Sequence, residues 1–328
     1  MAVPVLRLGL IGHGTVGQSF THHLADAVAR IERRTSARVQ LARLAVRHPD
    51  RVRHLARQVH LGDDPLQLAL DPTIDLVVEA SGASEAAGWL VAALARGAAV
   101  ITANKQAVAH SNVLLQALAQ RHPRLFAEAT VAAAVPIVRT LRDSLQGEEV
   151  RSIRGILNGT STFVLSAVER GTSWDEAVAA AAAAGLSERG STADFDGTDA
   201  AAKLAILATI AWRTPVHVDR VRIRGMGEHT VPAARAAFAE GRRVRLVADA
   251  WTRGGTHLLV EPRVLEADDP LAHVTDVTNA IELEAALAGQ LRWFGPGAGG
   301  VRTASALLAD VAQAAAGCIA NGREQVAA

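Results

Sequence analysis

The string Gly12-His13-Gly14-Thr15-Val16-Gly17 follows an apolar run, Leu6 to Ile11, and precedes a stretch with helical periodicity. Three glycines at this spacing steer a chain toward a strand, a tight turn and a helix packed closely together. Gly12 allows the turn, Gly14 lets the backbone approach a pyrophosphate, and Gly17 permits close contact of helix and strand. Thr15 and Val16 then open the helix, where unpaired N–H groups and the helix dipole favour phosphate. An ordinary glycine-rich turn uses the same residue types, so the surroundings have to carry the reading.

Those surroundings alternate short apolar runs with amphipathic stretches. Strands are expected near Leu6 to Ile11, Val39 to Val46, Leu76 to Glu79, Ala98 to Thr102 and Leu125 to Glu128, with helices between them. One of these is expected to start at a Ser84 cap and to end before Gly97. The pattern predicts an α/β fold, a Rossmann-type doubly wound parallel sheet of about five strands. After Pro136 the rhythm changes to a helix (Ile137 to Leu145), a strand (Ile153 to Leu157) and a mainly helical section with caps at Ser161 and Ser173. Strands return near Val218 to Ile223, Leu246 to Trp251, His257 to Val264, Ala280 to Glu284 and Leu287 to Phe294. This reads as an inserted α+β domain. The final helix, Ala304 to about Asn321, is apolar around much of its circumference and is expected to pack back on the first domain. The expected division is residues 1–136 plus the C-terminal helix 303–328 for dinucleotide binding, and residues 137–302 for substrate binding, catalysis and dimerisation.

Composition removes several classes. The 328 residues carry 34 Lys plus Arg against 33 Asp plus Glu, a net charge of +1, which is not the footprint of a nucleic-acid binder. A single cysteine, Cys318, allows no internal disulfide, and no apolar stretch approaches a membrane span or a leader h-region. A cytoplasmic protein without a membrane or nucleic-acid partner is expected. No metal-ligand spacing of the HExxH type and no GxSxG elbow occurs.

Several local groups could carry chemistry. Arg47, just past the second predicted strand, stands where an NAD site would place an acid, and its guanidinium suits a 2′-phosphate, favouring NADP with NAD still possible. The competing reading is a solvated basic turn formed with Arg51 and Arg53. Ser81 and Thr102 lie at strand ends, where open parallel sheets bind ligands, and Lys105 follows in Thr102-Ala103-Asn104-Lys105 as a candidate acid, phosphate partner or substrate anchor. Alone, Lys105 equally suits a plain surface position. Asp199 and Lys203 are four apart on one expected helix face, with Glu188, Asp194 and Asp196 nearby, so that they suit either an amino-acid zwitterion or an ordinary ion pair. The apolar neighbours Leu204, Ile206 and Leu207 bury that helix and make an idle pair costly. Glu128 fits a hard cation or a capping role, and Gly297 and Gly299 lie in a loop that suits either closure over a cofactor or a simple turn.

Read together, these segments resemble the homoserine dehydrogenase family over nearly the whole chain. The strings are GHGTVG at 12–17, VVEASG at 77–82, TANK at 102–105, EATV at 128–131 with Pro136, GILNGTSTFVL at 155–165, DFDGTDAAAKLAILA at 194–208 and GPGAGG at 295–300. The resemblance implies NAD(P)-dependent interconversion of L-homoserine and L-aspartate 4-semialdehyde, in the route to threonine, isoleucine and methionine. It implies that Lys203 is the proton donor and that Lys105 lies beside cofactor and substrate. Glu188, Asp199, Asp194, Gly159 and Thr160 would bind the amino acid, and Gly185 would join the cofactor set. A sodium ion would be held by Glu128 and the carbonyls of Val131, Ala133 and Val135. A homodimer of the short form, without a regulatory ACT domain, is the implied assembly. The chain departs from the family pattern at Ala132 to Ala134, where glycines are usual, at Gly190 and Ser191, where Asp-Pro is common, and at Leu186, Thr162 and Arg302. A dehydrogenase of another small amino or hydroxy acid, or a silent nucleotide sensor, are the alternative functions.

Overall fold

Strands buried on both faces read as continuous apolar runs, and the first third of the chain is built from them. The computed structural model describes residues 3–186 and 192–327, with side chains described through Cys318. Its elements begin β1 (Val5–Ile11), α1 (Thr15–Thr35), β2 (Arg38–Ala45), β3 (His60–Gly62), α2 (Pro65–Leu70), β4 (Leu76–Glu79), α3 (Ala86–Ala95), β5 (Ala99–Thr102), α4 (Lys105–Ala109), α5 (Asn112–Ala119) and β6 (Leu125–Phe126). All strand pairs are parallel, in the order β3-β2-β1-β4-β5-β6. The order reverses between β1 and β4, the point at which such sheets bind ligands beyond their carboxyl ends. Leu8, Leu10, Leu76, Val78 and Ile101 are fully buried, each contributing about 1.5–3 kcal/mol by leaving water. The three residues of β3 are too few to show a period, which is why the sequence suggested five strands rather than six. Ser84 does not cap α3; Glu85 precedes that helix without a side-chain cap, and the Ser84 hydroxyl donates to the Glu85 carboxylate.

The second unit, Ala134–Ala298, is described by itself. It comprises α6 (Ile137–Arg139), β7 (Val150–Ile156), α7 (Gly159–Glu169), α8 (Trp174–Ala183), α9 (Thr198–Trp212), β8 (Arg222–Ile223), α10 (Val231–Ala239), β9 (Arg243–Trp251), β10 (His257–Leu265), β11 (Thr278–Ala285) and β12 (Gly289–Pro296). The sheet order is β12-β11-β7-β9-β10-β8, antiparallel throughout except for β10 with β8. Residues expected as one helix to Leu145 pass from α6 into a π-helical turn, Thr140–Ser144. The expected strand Val218 to Ile223 is mostly a 3-10 turn, which His217 caps by accepting from the Asp219 N–H. Helix α9 is buried along Asp199 to Ile210, and Ala200, Ala201 and Ala202 leave no bulk between it and its neighbours.

Beyond that unit the chain returns to the first one as α11 (Gly300–Ala327). Ala304, Leu307, Val311 and Ala315 join Phe20, Leu24 and Ile31 of α1 in one core with Leu6, Leu8 and Leu10 of β1. A partly buried ion pair ties β2 to the end of α2: Arg43 Nη1 lies 2.5 Å from Asp71 Oδ2, while the Thr73 N–H and hydroxyl donate to Asp71 Oδ1 at 2.8 and 2.7 Å. Partial burial pushes the Asp71 carboxyl up, but the bonds from Arg43 and Thr73 and the Arg43 charge outweigh it and bring its pKa down to about 2. A depressed folded-state pKa contributes stability above the unfolded value of 3.8 that is lost as pH falls through about 2. Asp71→Asn is therefore expected to cost about 1–2 kcal/mol at pH 7 and to converge on the parent near pH 2, as read by urea unfolding at both pH values.

Candidate active site

At the carboxyl end of the first sheet, a cavity of about 680 Å³ is lined by Gly12, His13, Gly14, Arg47, Ser81 and Trp89, among others. Gly12 takes φ +92°, donates its N–H to the Ala45 carbonyl at 2.9 Å, and lies so close to Ser81 that a Cβ would sit 2.5 Å from the Ser81 Cα. A Cβ on Gly17 would overlap the Gly12 carbonyl oxygen, so α1 starts hard against the turn. Gly14 caps α1 with nothing within 4 Å of where its Cβ would be, and neither Thr15 nor Val16 brings an acid into the first turn. The open space ahead of unpaired helix N–H groups is a cradle that a side chain would fill and a phosphate fits. Burial, with the His54 charge acting the same way, pushes the His13 imidazole below its ordinary range. Arg47 lies on the cavity wall with His48 and Arg51. The Glu85 carboxyl on the same rim is held low by its own backbone N–H, then by the Ser84 hydroxyl, and to a smaller extent by the Arg47 charge.

The neighbouring strand ends are tied to this cavity by hydrogen bonds. Thr102 is fully buried, donates its hydroxyl to Glu79 Oε2 at 2.8 Å and accepts the Asn104 N–H at 2.9 Å. Asn104 caps α4 through Ala107 and donates Nδ2 to the Ala83 carbonyl, and Lys105 is the first helical residue. The fixed cap sets where the Lys105 side chain leaves the backbone.

In the second unit, Lys203 and Asp199 are each 8% exposed, with Lys203 Nζ 2.7 Å from Asp199 Oδ2 and 2.6 Å from the Leu157 carbonyl. Asn158, the N-cap of α7, donates Nδ2 to Asp199 Oδ2 at 2.9 Å and to Asp194 Oδ1 at 2.7 Å, so one amide joins both aspartates. The cap is Asn158 and not Ser161, because Asn158 Oδ1 accepts the Ser161 N–H at 2.8 Å. Gly159 packs against the Val277 backbone, and the Thr160 hydroxyl donates to the Leu186 carbonyl at 2.9 Å. Gly185 follows α8 at φ +70° with open space beside it, and Glu188 lies outside the described residues. Gly297 lies against the amide of Asn279, whose Nδ2 donates to the same Leu157 carbonyl at 3.1 Å, and Gly299 takes φ +115° before α11. Asn279 is buried, and its Oδ1 has no partner among the described residues.

Glu128 is buried, with its N–H donating to Asp310 Oδ2 at 3.0 Å, and Val131, Ala133 and Val135 are buried after it. Ala132 and Ala133 take φ +52° and +44°, the left-handed region where an alanine costs about 1–2 kcal/mol. The loop thus has a glycine-type backbone without the glycines. Among the described residues no cluster of three His, Cys, Asp or Glu could hold a metal, so an ion here would depend on carbonyl oxygens.

The structure brings Gly12, Gly14, Arg47 and Ser81 to one cavity, and Asp194, Asp199 and Lys203 to one network. Sequence reading missed Asn158, Asn279 and Glu79 as site residues. Asn158 carried a usable signal, an Asn directly before a predicted helix, whereas a lone Asn or Glu at a strand end carries none.

A doubly wound parallel sheet with this glycine turn, and a second unit that buries a lysine against an aspartate and a backbone carbonyl, define an NAD(P)-dependent oxidoreductase. Two family profiles match: "Homoserine dehydrogenase, NAD binding domain" over residues 12–128 and "Homoserine dehydrogenase" over residues 136–312. Homoserine dehydrogenase of Corynebacterium glutamicum is 36% identical over 325 residues, covering 96% of this chain and 73% of that protein. The crystal structure of a homoserine dehydrogenase from Thiobacillus denitrificans superposes with TM-score 0.89 at 33% identity, over 96% of this chain and 74% of that one. A hyperthermophilic archaeal homoserine dehydrogenase in complex with NADPH gives TM-score 0.77 at 26% identity, over 94% and 97%. The chain belongs to the homoserine dehydrogenase family, enzymes of amino-acid biosynthesis. No helix among the described residues is long and apolar enough to cross a membrane.

The two glycines of the turn separate binding from folding. Gly14→Ala is expected to leave the melting temperature unchanged and to weaken cofactor binding about tenfold or more, a loss of about 1.4 kcal/mol per factor of ten. Gly17→Ala is expected to lower the melting temperature as well, because its Cβ has no room. Thermal melts with and without cofactor, and a binding titration, check both.

Proposed function

We propose that this chain interconverts L-homoserine and L-aspartate 4-semialdehyde with NADP preferred over NAD, and that Lys203 moves the proton. The observation that carries the reading is the buried network of Lys203, Asp199, Asn158 and Asp194. A charge pair this far from water is costly unless it is used or fully satisfied, and the Leu157 carbonyl and Asn158 amide orient it without neutralising it. Asp194 and Asp199, with Glu188, supply the anionic side that a substrate ammonium requires. A bound nicotinamide would supply the hydride chemistry at C4 of the substrate. Lys203 Nζ, as the neutral amine, would take the proton from the homoserine hydroxyl in one direction, and, as the ammonium, would stabilise the alkoxide charge that builds on the aldehyde oxygen and return the proton to it in the other. Lys105, set by the Asn104 cap, is read as the second catalytic lysine, on the cofactor side.

The cofactor preference is supported by Arg47 on the cavity wall, with His48 and Arg51 adjoining and no carboxylate at the end of β2. Gly12, Gly14, Thr15, Val16 and Gly17 would hold the pyrophosphate, and Ser81 and Thr102 its neighbouring strand ends. Gly185, Gly297 and Gly299 complete the assigned set. The NADPH complex of the archaeal relative supports the same choice.

Initial rates with homoserine and each cofactor test both assignments. Lys203→Ala is expected to lower kcat by about 10²–10⁴ while NADPH affinity, read by fluorescence titration, stays within about threefold. Arg47→Ala is expected to raise the KM for NADP about tenfold or more and that for NAD little, because a bidentate phosphate contact is lost. Full turnover in the first variant, or equal weakening of both cofactors in the second, would overturn the respective role.

The same reading includes a sodium ion at Glu128 with loop carbonyls such as those of Val131 and Ala133, supported by the buried carboxylate and the two left-handed alanines. Replacing sodium by choline at constant ionic strength is expected to lower activity severalfold; unchanged rates and melting temperature would remove the ion from the assignment. It also includes a cytoplasmic homodimer, supported by exposed apolar side chains on the second unit's sheet, Val264 and Phe294.

A further inference from the structure

Glu79 is the last residue of β4, is 0% exposed, and plays no part in the proton and hydride steps above. Its partners are all neutral donors. Oε1 accepts the Ser81 N–H at 2.8 Å, the Ser81 hydroxyl at 2.7 Å and the Gly82 N–H at 3.3 Å, and Oε2 accepts the Thr102 hydroxyl at 2.8 Å. The two oxygens of one carboxylate therefore face two different loops. On the first side, Ser81 is the residue against which the Gly12 turn is pressed, and it lines the cavity. On the second, Thr102 has given its only hydroxyl proton to Glu79, so its lone pairs are turned to the Asn104 N–H, and Asn104 caps the helix that begins at Lys105.

We propose that Glu79 is a positioning residue that holds the Ser81–Gly82 loop and the Asn104–Lys105 turn in one register, one carboxylate oxygen to each. The inference rests on reading the cavity and Lys105 as parts of the dehydrogenase site. A carboxylate is the one side chain of this size that offers acceptors on both ends; an amide offers one oxygen and one NH₂. In Glu79→Gln the oxygen is needed by two backbone N–H groups and a hydroxyl on the Ser81 side, so the NH₂ must face Thr102. Thr102 Oγ1 then meets two N–H donors and its own hydrogen has no acceptor, which loosens the link to Asn104 while leaving the cavity side intact. The substitution separates the two functions that the carboxylate joins.

The test is steady-state kinetics of Glu79→Gln, Thr102→Val and the double variant, with NADPH affinity measured by fluorescence titration and folding by thermal melts. Glu79→Gln is expected to lower kcat about tenfold to a hundredfold, the scale of a misplaced catalytic group, with cofactor affinity within about threefold. Thr102→Val is expected to lower kcat to a similar extent, and the double variant to be no slower than the worse single variant, because both break one link. A lowered melting temperature with unchanged kcat, or losses in the double variant that multiply, overturns the proposal. Should Glu79→Gln fail to fold, Thr102→Val alone decides, since full turnover without that hydroxyl leaves nothing for Glu79 to transmit. A parent enzyme that does not reduce NADP with homoserine would instead sink the dehydrogenase reading, whereas an active parent with kinetically silent variants sinks this proposal only.

Discussion

Burying an ammonium group in a helix whose buried residues are mostly alanine, leucine and isoleucine is the constraint around which the second unit is arranged. Removing one charge from water costs several kcal/mol after relaxation, and a single counter-ion rarely offsets it. Here Lys203 has Asp199 one helical turn before it and the Leu157 carbonyl just past the end of β7, while Asn158 donates to the same Asp199 oxygen and reaches Asp194. These contacts require α9, β7 and the start of α7 to meet within a few ångströms. The three consecutive alanines before Lys203 and the Gly159 contact with Val277 are what let the backbones approach that far.

The first unit solves the opposite problem, because its site has to stay open. Gly12 and Gly17 remove side chains where backbone meets backbone, and Gly14 removes one where a ligand needs the space. Nothing rigid would then define the cavity rim without a fixed neighbour for the turn. Ser81 is that neighbour, and it is immobilised by a carboxylate with no water contact. A charge surrounded by neutral donors is favourable only when every donor is in place, so the loops around Glu79 are either all correctly set or all disturbed.

The loop after Glu128 holds a left-handed backbone at residues that are not glycine. Ala132 and Ala133 adopt left-handed backbone that glycine would take without cost, and their neighbours Val131 and Val135 are buried on either side. The surrounding packing must over-determine that conformation, since strain of this kind persists only where the rest of the fold leaves no alternative. Such strain marks places where a particular backbone geometry is required.

Much of the fold was legible because its signals are local. The glycine spacing and the apolar runs of β1, β2, β4 and β5 each follow from residues next to one another, and the parallel sheet follows from their alternation. So did the pairing of Asp199 with Lys203, which helical periodicity alone puts on one face. Short pieces were not legible: β3 has too few residues for a period, and the 3-10 turn at Val218–Arg220 imitates a strand because its apolar flanks are the same. The decisive site partners were out of reach for a different reason. Asn158 meets Asp199 across 41 positions, Glu79 meets Thr102 across 23, and Asn279 meets Leu157 across 122. Sequence determined which charged groups exist and which face of which element they share; only the folded chain decided which neutral donors and carbonyls surround them, because hydrogen-bond geometry between distant segments depends on packing that no local pattern records.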